Sequence, residues 1–255
     1  NESILKVLQR RHTARQAIEA FQNCRAAGFQ NISIDLMYGL PGETLSTWQQ
    51  DLDQALLLHP EHLSAYHLIY EEDTVLWKLR EQHKVEEADE DLSVSLFSTL
   101  IDRLTSEGYD HYEISNFSLP GLYSRHNSSY WTEKKYLGCG PSAHSYNGVS
   151  RQWNVASLDT YIKGISAGTP VFEIEELDLY TRYNDFVITR IRTEWGMPLS
   201  KLRDEFGEKL YDYCLRMAAP HLKQGTLELV NDILKLTRKG IFISDGIMSD
   251  MLWTD

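Results

Sequence analysis

The residue best placed for chemistry is Asp35, within Ile32-Ser33-Ile34-Asp35-Leu36-Met37-Tyr38-Gly39-Leu40-Pro41-Gly42-Glu43-Thr44. Alternation sets Ile32, Ile34 and Leu36 on one face of a strand and Ser33, Asp35 and Met37 on the other. A carboxylate near the end of such a strand, ahead of a Gly-Leu-Pro-Gly turn and a new helix, sits where ligands collect in parallel α/β sheets and barrels. The same carboxylate could simply cap a turn or solvate a strand end, and the pattern alone leaves both open. Cys24, Cys139 and Cys214 share no ligand spacing, which excludes a thiolate cluster or zinc site within this chain and fits a reducing cytoplasm. Gly138-Cys139-Gly140 lacks a preceding strand and a following glycine, so it reads as a sharp backbone turn rather than a dinucleotide cradle.

The elements that must position these residues follow a strand-helix-strand grammar. Thr13-Ala14-Arg15-Gln16 is a capping box for a helix carrying Ala14, Ile18, Phe21 and Cys24, with Gly28 as its stop. Ser46-Thr47-Trp48-Gln49 reads as a second capping box, followed by the stripe Trp48, Leu52, Ala55 and Leu56. His62 to Tyr70 reads as a strand, the polar stretch Glu81 to Asp91 leads to a helix on Leu92, Leu96, Phe97, Leu100, Ile101 and Leu104, and Tyr112 to Phe117 alternates as one short strand. From Pro120 to about Asn154 periodicity is lost, which predicts a long loop and a candidate binding surface.

Beyond it, Tyr183, Val187 and Ile191 make a helical stripe. A short helix on Leu202 and Phe206 and another from Tyr211 to Leu222 come next. Leu227-Val230 and Ile233-Leu236 flank Asn231-Asp232 as a hairpin, and Thr237 caps a last helix through Ile247, Met251 and Leu252.

The chain has 255 residues, with 25 Lys and Arg against 37 Asp and Glu, a net charge of −12. That argues against broad phosphate-backbone binding, and a winged-helix nucleic-acid binder would have only Arg238 and Lys239 as well-placed cations. No apolar run approaches a membrane-spanning length, so a soluble protein is expected. The chain starts at Asn1 within what reads as a partial helix, which suggests a fragment.

Six ordered stretches carry a family resemblance: Arg10-Arg11-His12, Asp35 to Thr44, Leu63-Ser64-Ala65-Tyr66-His67-Leu68, Tyr112 to Phe117, His126-Asn127-Ser128-Ser129-Tyr130-Trp131 and Tyr136 to Ser145. Together they span nearly the whole chain. The sequence resembles the radical S-adenosylmethionine proteins of the oxygen-independent coproporphyrinogen III oxidase type, and among them the HemW-type haem chaperones. It departs from their usual pattern at Glu72-Asp73-Thr74 and at Cys139.

The resemblance implies an α/β fold: a partial parallel (β/α) barrel of the radical SAM type followed by a C-terminal helical, winged-helix-like domain. The matching division is residues 1–110 for the C-terminal part of the barrel, 111–170 for a connecting loop and motif region, and 171–255 for the C-terminal domain. It also implies a [4Fe-4S] cluster and S-adenosylmethionine in the intact protein. The Cys-x-x-x-Cys-x-x-Cys loop that would hold the cluster is missing here, so no catalytic residue and no cluster ligand is assigned, and this polypeptide alone is expected to be inactive.

By match to the family, Arg10 would meet the methionine carboxylate or ribose region of S-adenosylmethionine, and Asp35 would accept hydrogen bonds from the ribose hydroxyls. Ile69 would touch the adenine, and His144 would line the deeper substrate cavity. The His126, Asn127, Tyr130 and Trp131 motif is linked in the haem chaperones to haem. An imidazole ligand and flat aromatic walls are what haem requires, with His126 the candidate iron ligand and Cys139 and His144 its rivals. The expected function is a cytoplasmic haem-binding chaperone that delivers haem to haem proteins. The alternative is an oxygen-independent coproporphyrinogen III oxidase of porphyrin biosynthesis. A homodimer is compatible with either; a nucleic-acid or membrane-spanning role is not expected.

Overall fold

The computed structural model describes residues 2–254, which divide into two compact units between Ser124 and Arg125. Residues 111–170 are thereby shared out between the two units rather than forming a segment of their own.

The first unit runs α1 (Glu2–Val7), α2 (Ala14–Ala26), β1 (Ser33–Tyr38), α3 (Leu45–Leu57), β2 (His62–His67), α4 (Val75–Glu81), α5 (Glu90–Ser106), β3 (Asp110–Glu113) and β4 (Asn116–Ser118). Thr13 caps α2 through the reciprocal bonds expected of it: its hydroxyl accepts the Gln16 N–H, and the Gln16 side chain accepts the Thr13 N–H. The cap of α3 lies two residues earlier than the sequence suggested, at Thr44 with Thr47, because the first turn begins directly after Gly42-Glu43. Helix α4 was not foreseen, since at seven residues it is too short to show a period; Thr74 caps it.

The four strands form one mixed sheet in the order β1-β2-β4-β3. Strands β1 and β2, joined through α3, are parallel with Ser33 opposite His62 and Tyr38 opposite His67. The other pairs are antiparallel. The Tyr112 to Phe117 stretch is therefore not one strand but the centre of a hairpin. Its alternation is interrupted at Ile114-Ser115, where a two-residue link can only return the chain antiparallel.

Register gives this sheet two unlike faces. Tyr38, Leu63, Ala65 and Phe117 are buried on one. There Tyr38 meets Trp48 of α3 and Phe97 of α5 at 5.4 and 6.1 Å between ring centroids, and the Trp48 indole N–H donates to the Leu96 carbonyl. On the opposite face, paired positions bring together Ser33 with His62, Asp35 with Ser64, Ser64 with Asn116, and His62 with Ser118. An α/β core thus covers one side of the sheet, and on the other His62, Ser64, Asn116 and Ser118 form a polar row that is itself buried, with Ser33 and Asp35 exposed at its β1 end.

The second unit runs α6 (Arg125–Trp131), β5 (His144–Tyr146), β6 (Ser150–Asn154), α7 (Leu158–Ser166), β7 (Phe172–Glu176), α8 (Leu179–Ile191), β8 (Met197–Pro198), α9 (Leu199–Gln224), β9 (Leu227–Val230), β10 (Ile233–Leu236), α10 (Arg238–Ile241) and α11 (Ser244–Met251). The stretch expected as a loop up to Asn154 holds a helix and the antiparallel pair β5-β6, elements too short for periodicity to reveal. Strand β7 completes that sheet, and β8-β10-β9 form a second.

The two helices expected after Pro198 are both present within α9, separated at Gly207, whose φ of +79° and ψ of 172° are non-helical. The Asn231-Asp232 hairpin is as expected, both residues taking positive φ of 49° and 70°. Thr237 caps only the four-residue α10, and α11 starts anew at Ser244. Tyr183, Phe186, Val187 and Ile191 of α8 are buried in a core with Leu202, Phe206 and Leu210 of α9 and Met248 and Met251 of α11. Cys214 lies in the same core, its thiol pushed up to about 12 by burial, so it packs as a small hydrophobe. No helix among the described residues is long and apolar enough to cross a membrane.

Candidate functional site

On the polar sheet face of the first unit, Ser33 Oγ lies 2.7 Å from His62 Nδ1, and His62 Nε2 lies 2.7 Å from the Tyr112 hydroxyl. His62 is buried, and burial holds its imidazole below the usual histidine range, against an opposing pull from the Asp35 carboxylate. Burial pushes the Tyr112 phenol up to about 12, so it keeps its proton. Asp35 is exposed on this face and makes no ion pair with any described residue. Arg10 follows α1, its N–H donating to the Leu5 carbonyl at 2.8 Å; its side chain is exposed and likewise unpaired, and no ion pair joins it to Asp35. Ile69, just past β2, is 70% exposed.

The turn that ends β1 is fixed by a residue the sequence reading passed over. Glu43 is only 8% exposed, and its Oε2 accepts the N–H groups of Gly39 at 2.7 Å and Leu40 at 3.2 Å. Burial raises its carboxyl, partly opposed by those two bonds. An acid at the close of a glycine-rich turn was the available signal. Glu113 plays the same part in the β3-β4 turn, accepting the Ser115 N–H and the Asn116 amide.

The aromatic motif lies on α6 in the second unit. His126 and Tyr130 stand one turn apart and exposed, with rings edge-to-face at 5.1 Å and the Tyr130 hydroxyl 3.3 Å from His126 Nε2. Asn127 is half-buried. Trp131, about 100° further around the helix, is half-buried with the Arg192 guanidinium 4.2 Å above its ring, and its indole N–H is buried without a hydrogen-bond partner. His144 is exposed on β5 and stacks on Trp153 at 5.9 Å. Gly138 admits no side chain, because a Cβ would lie 2.1 Å from the His144 carbonyl.

Tyr130 also walls a cavity of about 450 Å³. Tyr136 and Tyr146 line it, as do Glu133, Arg151, Arg182, Asp185 and Lys201. Glu133 accepts from Arg190 at 2.8 Å and Lys201 at 2.7 Å; burial would raise its carboxyl, but these bonds bring it below the usual range. Burial raises Asp185 against the pull of its partner Arg151. These residues come from six separate elements and loops, so no local pattern announced them. The volume is within the range of small-molecule sites.

No group of three His, Cys, Asp or Glu among the described residues is arranged to hold a metal ion, and Cys24 and Cys139 are exposed while Cys214 is buried. The residues present therefore do not fit an iron-sulfur cluster. Asp35 and Arg10 are exposed and make no ion pair with any described residue.

Comparison with known proteins matches residues 177–243 to the family model of the HemN C-terminal domain. A solved structure described as "Coproporphyrinogen III oxidase (HemN) from Escherichia coli is a Radical SAM enzyme" shares the fold with a TM-score of 0.79 at 19% identity, covering 98% of this chain and 61% of that one. The heme chaperone HemW of Mycobacterium tuberculosis is 32% identical over 250 residues, 98% of this chain and 62% of that protein. The heme chaperone HemW of Lactococcus lactis is 30% identical over 258 residues, 100% of this chain and 67% of that protein. The chain belongs to the HemN/HemW-like family of radical S-adenosylmethionine proteins. It spans about three-fifths to two-thirds of the length of these curated relatives.

Proposed function

We propose that the intact protein is a haem chaperone that binds haem and passes it to haem-accepting proteins in the cytoplasm. The observation that carries this is the exposed His126 imidazole one turn from the exposed Tyr130 ring on α6. An imidazole is a common haem ligand, and a flat ring beside it supplies the wall a porphyrin packs on. Exposure suits a ligand that must be handed over. Trp131, with the Arg192 guanidinium over its ring, anchors the helix that presents the pair, and Asn127 is half-buried on the same helix. Cys139 and His144 are the rival iron ligands, both exposed. The names of the curated relatives support this reading.

In the same proposal, Asp35 accepts hydrogen bonds from the ribose hydroxyls of S-adenosylmethionine, Arg10 pairs with its methionine carboxylate, and the backbone at Ile69 meets the adenine. The exposed, unpaired state of both charged side chains supports these roles. Strands β1 and β2 would be parallel strands of a partial barrel, and α8 to α11 with the β8-β10-β9 sheet a winged-helix-like domain. A [4Fe-4S] cluster of the intact protein would take its ligands from outside the described residues.

Titrating haem into this chain and following the Soret band tests the proposal. His126→Ala should weaken binding about tenfold or more and shift the band. If His126→Ala and Trp131→Phe both leave spectrum and affinity unchanged, the motif does not bind haem. Robust protoporphyrinogen formation by the intact protein would instead establish the oxidase reading.

A further inference from the structure

On the wall of the cavity behind Tyr130 stands one cation, Arg182, that makes no ion pair with any described residue. Of the acids on its wall, Glu133 is held by Arg190 and Lys201, Asp185 by Arg151, and Glu205 by Lys201. Asp178, the cap residue one turn before Arg182, accepts the Thr181 N–H at 2.7 Å and is within electrostatic reach of Arg182 without forming an ion pair with it. Arg182 itself is half-buried, makes no ion pair with any described residue, and its Nε is buried without a hydrogen-bond partner. A guanidinium withdrawn from water without a counter-ion is unfavourable, and its planar fork of donors matches a carboxylate.

The wall beside it is aromatic. Tyr130 and Tyr136 are 5.0 Å apart between centroids, and Tyr136 and Tyr146 are 6.1 Å apart. Tyr136 and Tyr146 are joined by two backbone hydrogen bonds of 2.9 Å, which hold this run of rings in place. The run starts at Tyr130, whose ring also meets His126. Ring surface, a carboxylate-sized cation and small-molecule volume thus occur in one place.

We infer that this cavity receives a carboxylate of a planar aromatic ligand, paired with Arg182, while the ring of that ligand lies along Tyr130 and Tyr136. Resting on the haem reading, the ligand is the porphyrin: its propionate enters the cavity and its metal faces His126. Arg182 is then a binding residue that fixes how the ring is oriented on α6, a role the sequence motif does not contain.

The test titrates this chain with three probes: haem, the metal-free dicarboxylate mesoporphyrin, and mesoporphyrin dimethyl ester. Arg182→Gln should weaken haem and mesoporphyrin about tenfold and leave the ester unchanged, with partial recovery in Arg182→Lys. The thermal midpoint of Arg182→Gln should not fall below the wild-type value, since no ion pair is lost and a partly desolvated charge is removed. Equal affinity of wild type and Arg182→Gln for mesoporphyrin would overturn the inference. Loss of haem binding in His126→Ala but not in Arg182→Gln would leave the haem reading standing without it. Mesoporphyrin binding that depends on Arg182, with haem indifferent to His126, would keep the carboxylate site and remove the iron ligand. A wild-type chain that binds none of the probes would remove both.

Discussion

The Tyr130 hydroxyl lies 3.3 Å from His126 Nε2, one turn along α6, with the two rings at 90°. The nitrogen that would bind iron is therefore already engaged, weakly, by its neighbour. Tyr130→Phe removes that bond and keeps the ring, so haem affinity should rise about two- to tenfold, the net worth of one hydrogen bond. Tyr130→Ala should lower it by removing the wall. A Soret titration of both variants checks this; the same direction of change in both would contradict it.

His62 makes stability depend on pH. Its folded pKa lies below the unfolded value, first because burial disfavours the charged ring. Between those two values the unfolded state binds more protons, so stability is full above about pH 6.5 and declines as pH falls below it. The slope from one such group cannot exceed about 1.4 kcal/mol per pH unit. Chemical denaturation at pH 7.5 and 5.5 should show a larger loss for wild type than for His62→Gln, which cannot titrate.

Glu133 holds Arg190 and Lys201 together at the cavity wall with side chains 26%, 14% and 36% exposed. Glu133→Gln leaves the more buried Arg190 without its carboxylate and should destabilise the unit by about 2 kcal/mol, less than a fully buried pair because water screens Lys201. In wild type this contribution is present above the ordinary carboxylate range and is lost as pH falls through the depressed value. The difference between the urea midpoints of the two proteins should be largest at pH 7 and shrink progressively as pH falls below the ordinary carboxylate range.

Gly39 takes φ +71°, and a Cβ there would lie 2.6 Å from His67 Nε2, which itself stands 3.0 Å from the Ser93 hydroxyl. Gly39→Ala therefore combines left-handed strain with displacement of that imidazole, and should cost about 2 kcal/mol. Gly42→Ala has the same sign of φ but open space around its Cβ, and should cost about half as much. Paired thermal melts distinguish the two; equal losses would mean that His67 moves aside freely.

Much of this protein was legible without coordinates, because its signals are local. The Thr13 capping box, the Asn231-Asp232 hairpin and the stripes of α5 and α8 follow from helical and strand periods and from backbone sterics within a few residues. The same period of two put Ser33 and Asp35 on one face, and the run from His126 to Trp131 announced itself by composition. Short elements escaped: seven residues of α4 or α6 and three of β5 contain too little repeat to read.

The partners of these residues belong to another level. Sequence placed Asp35 on a polar face, but only strand register set His62, Ser64 and Asn116 beside it. Sequence selected His126 and Tyr130, but only packing turned Trp131 away under Arg192 and gathered Tyr136, Arg182 and Lys201 behind them. Backbone periodicity is imposed by neighbouring peptide units and is therefore written locally. The environment of a guanidinium or an imidazole is set by whichever distant segments the hydrophobic core brings against it, and that is decided only when the chain has folded.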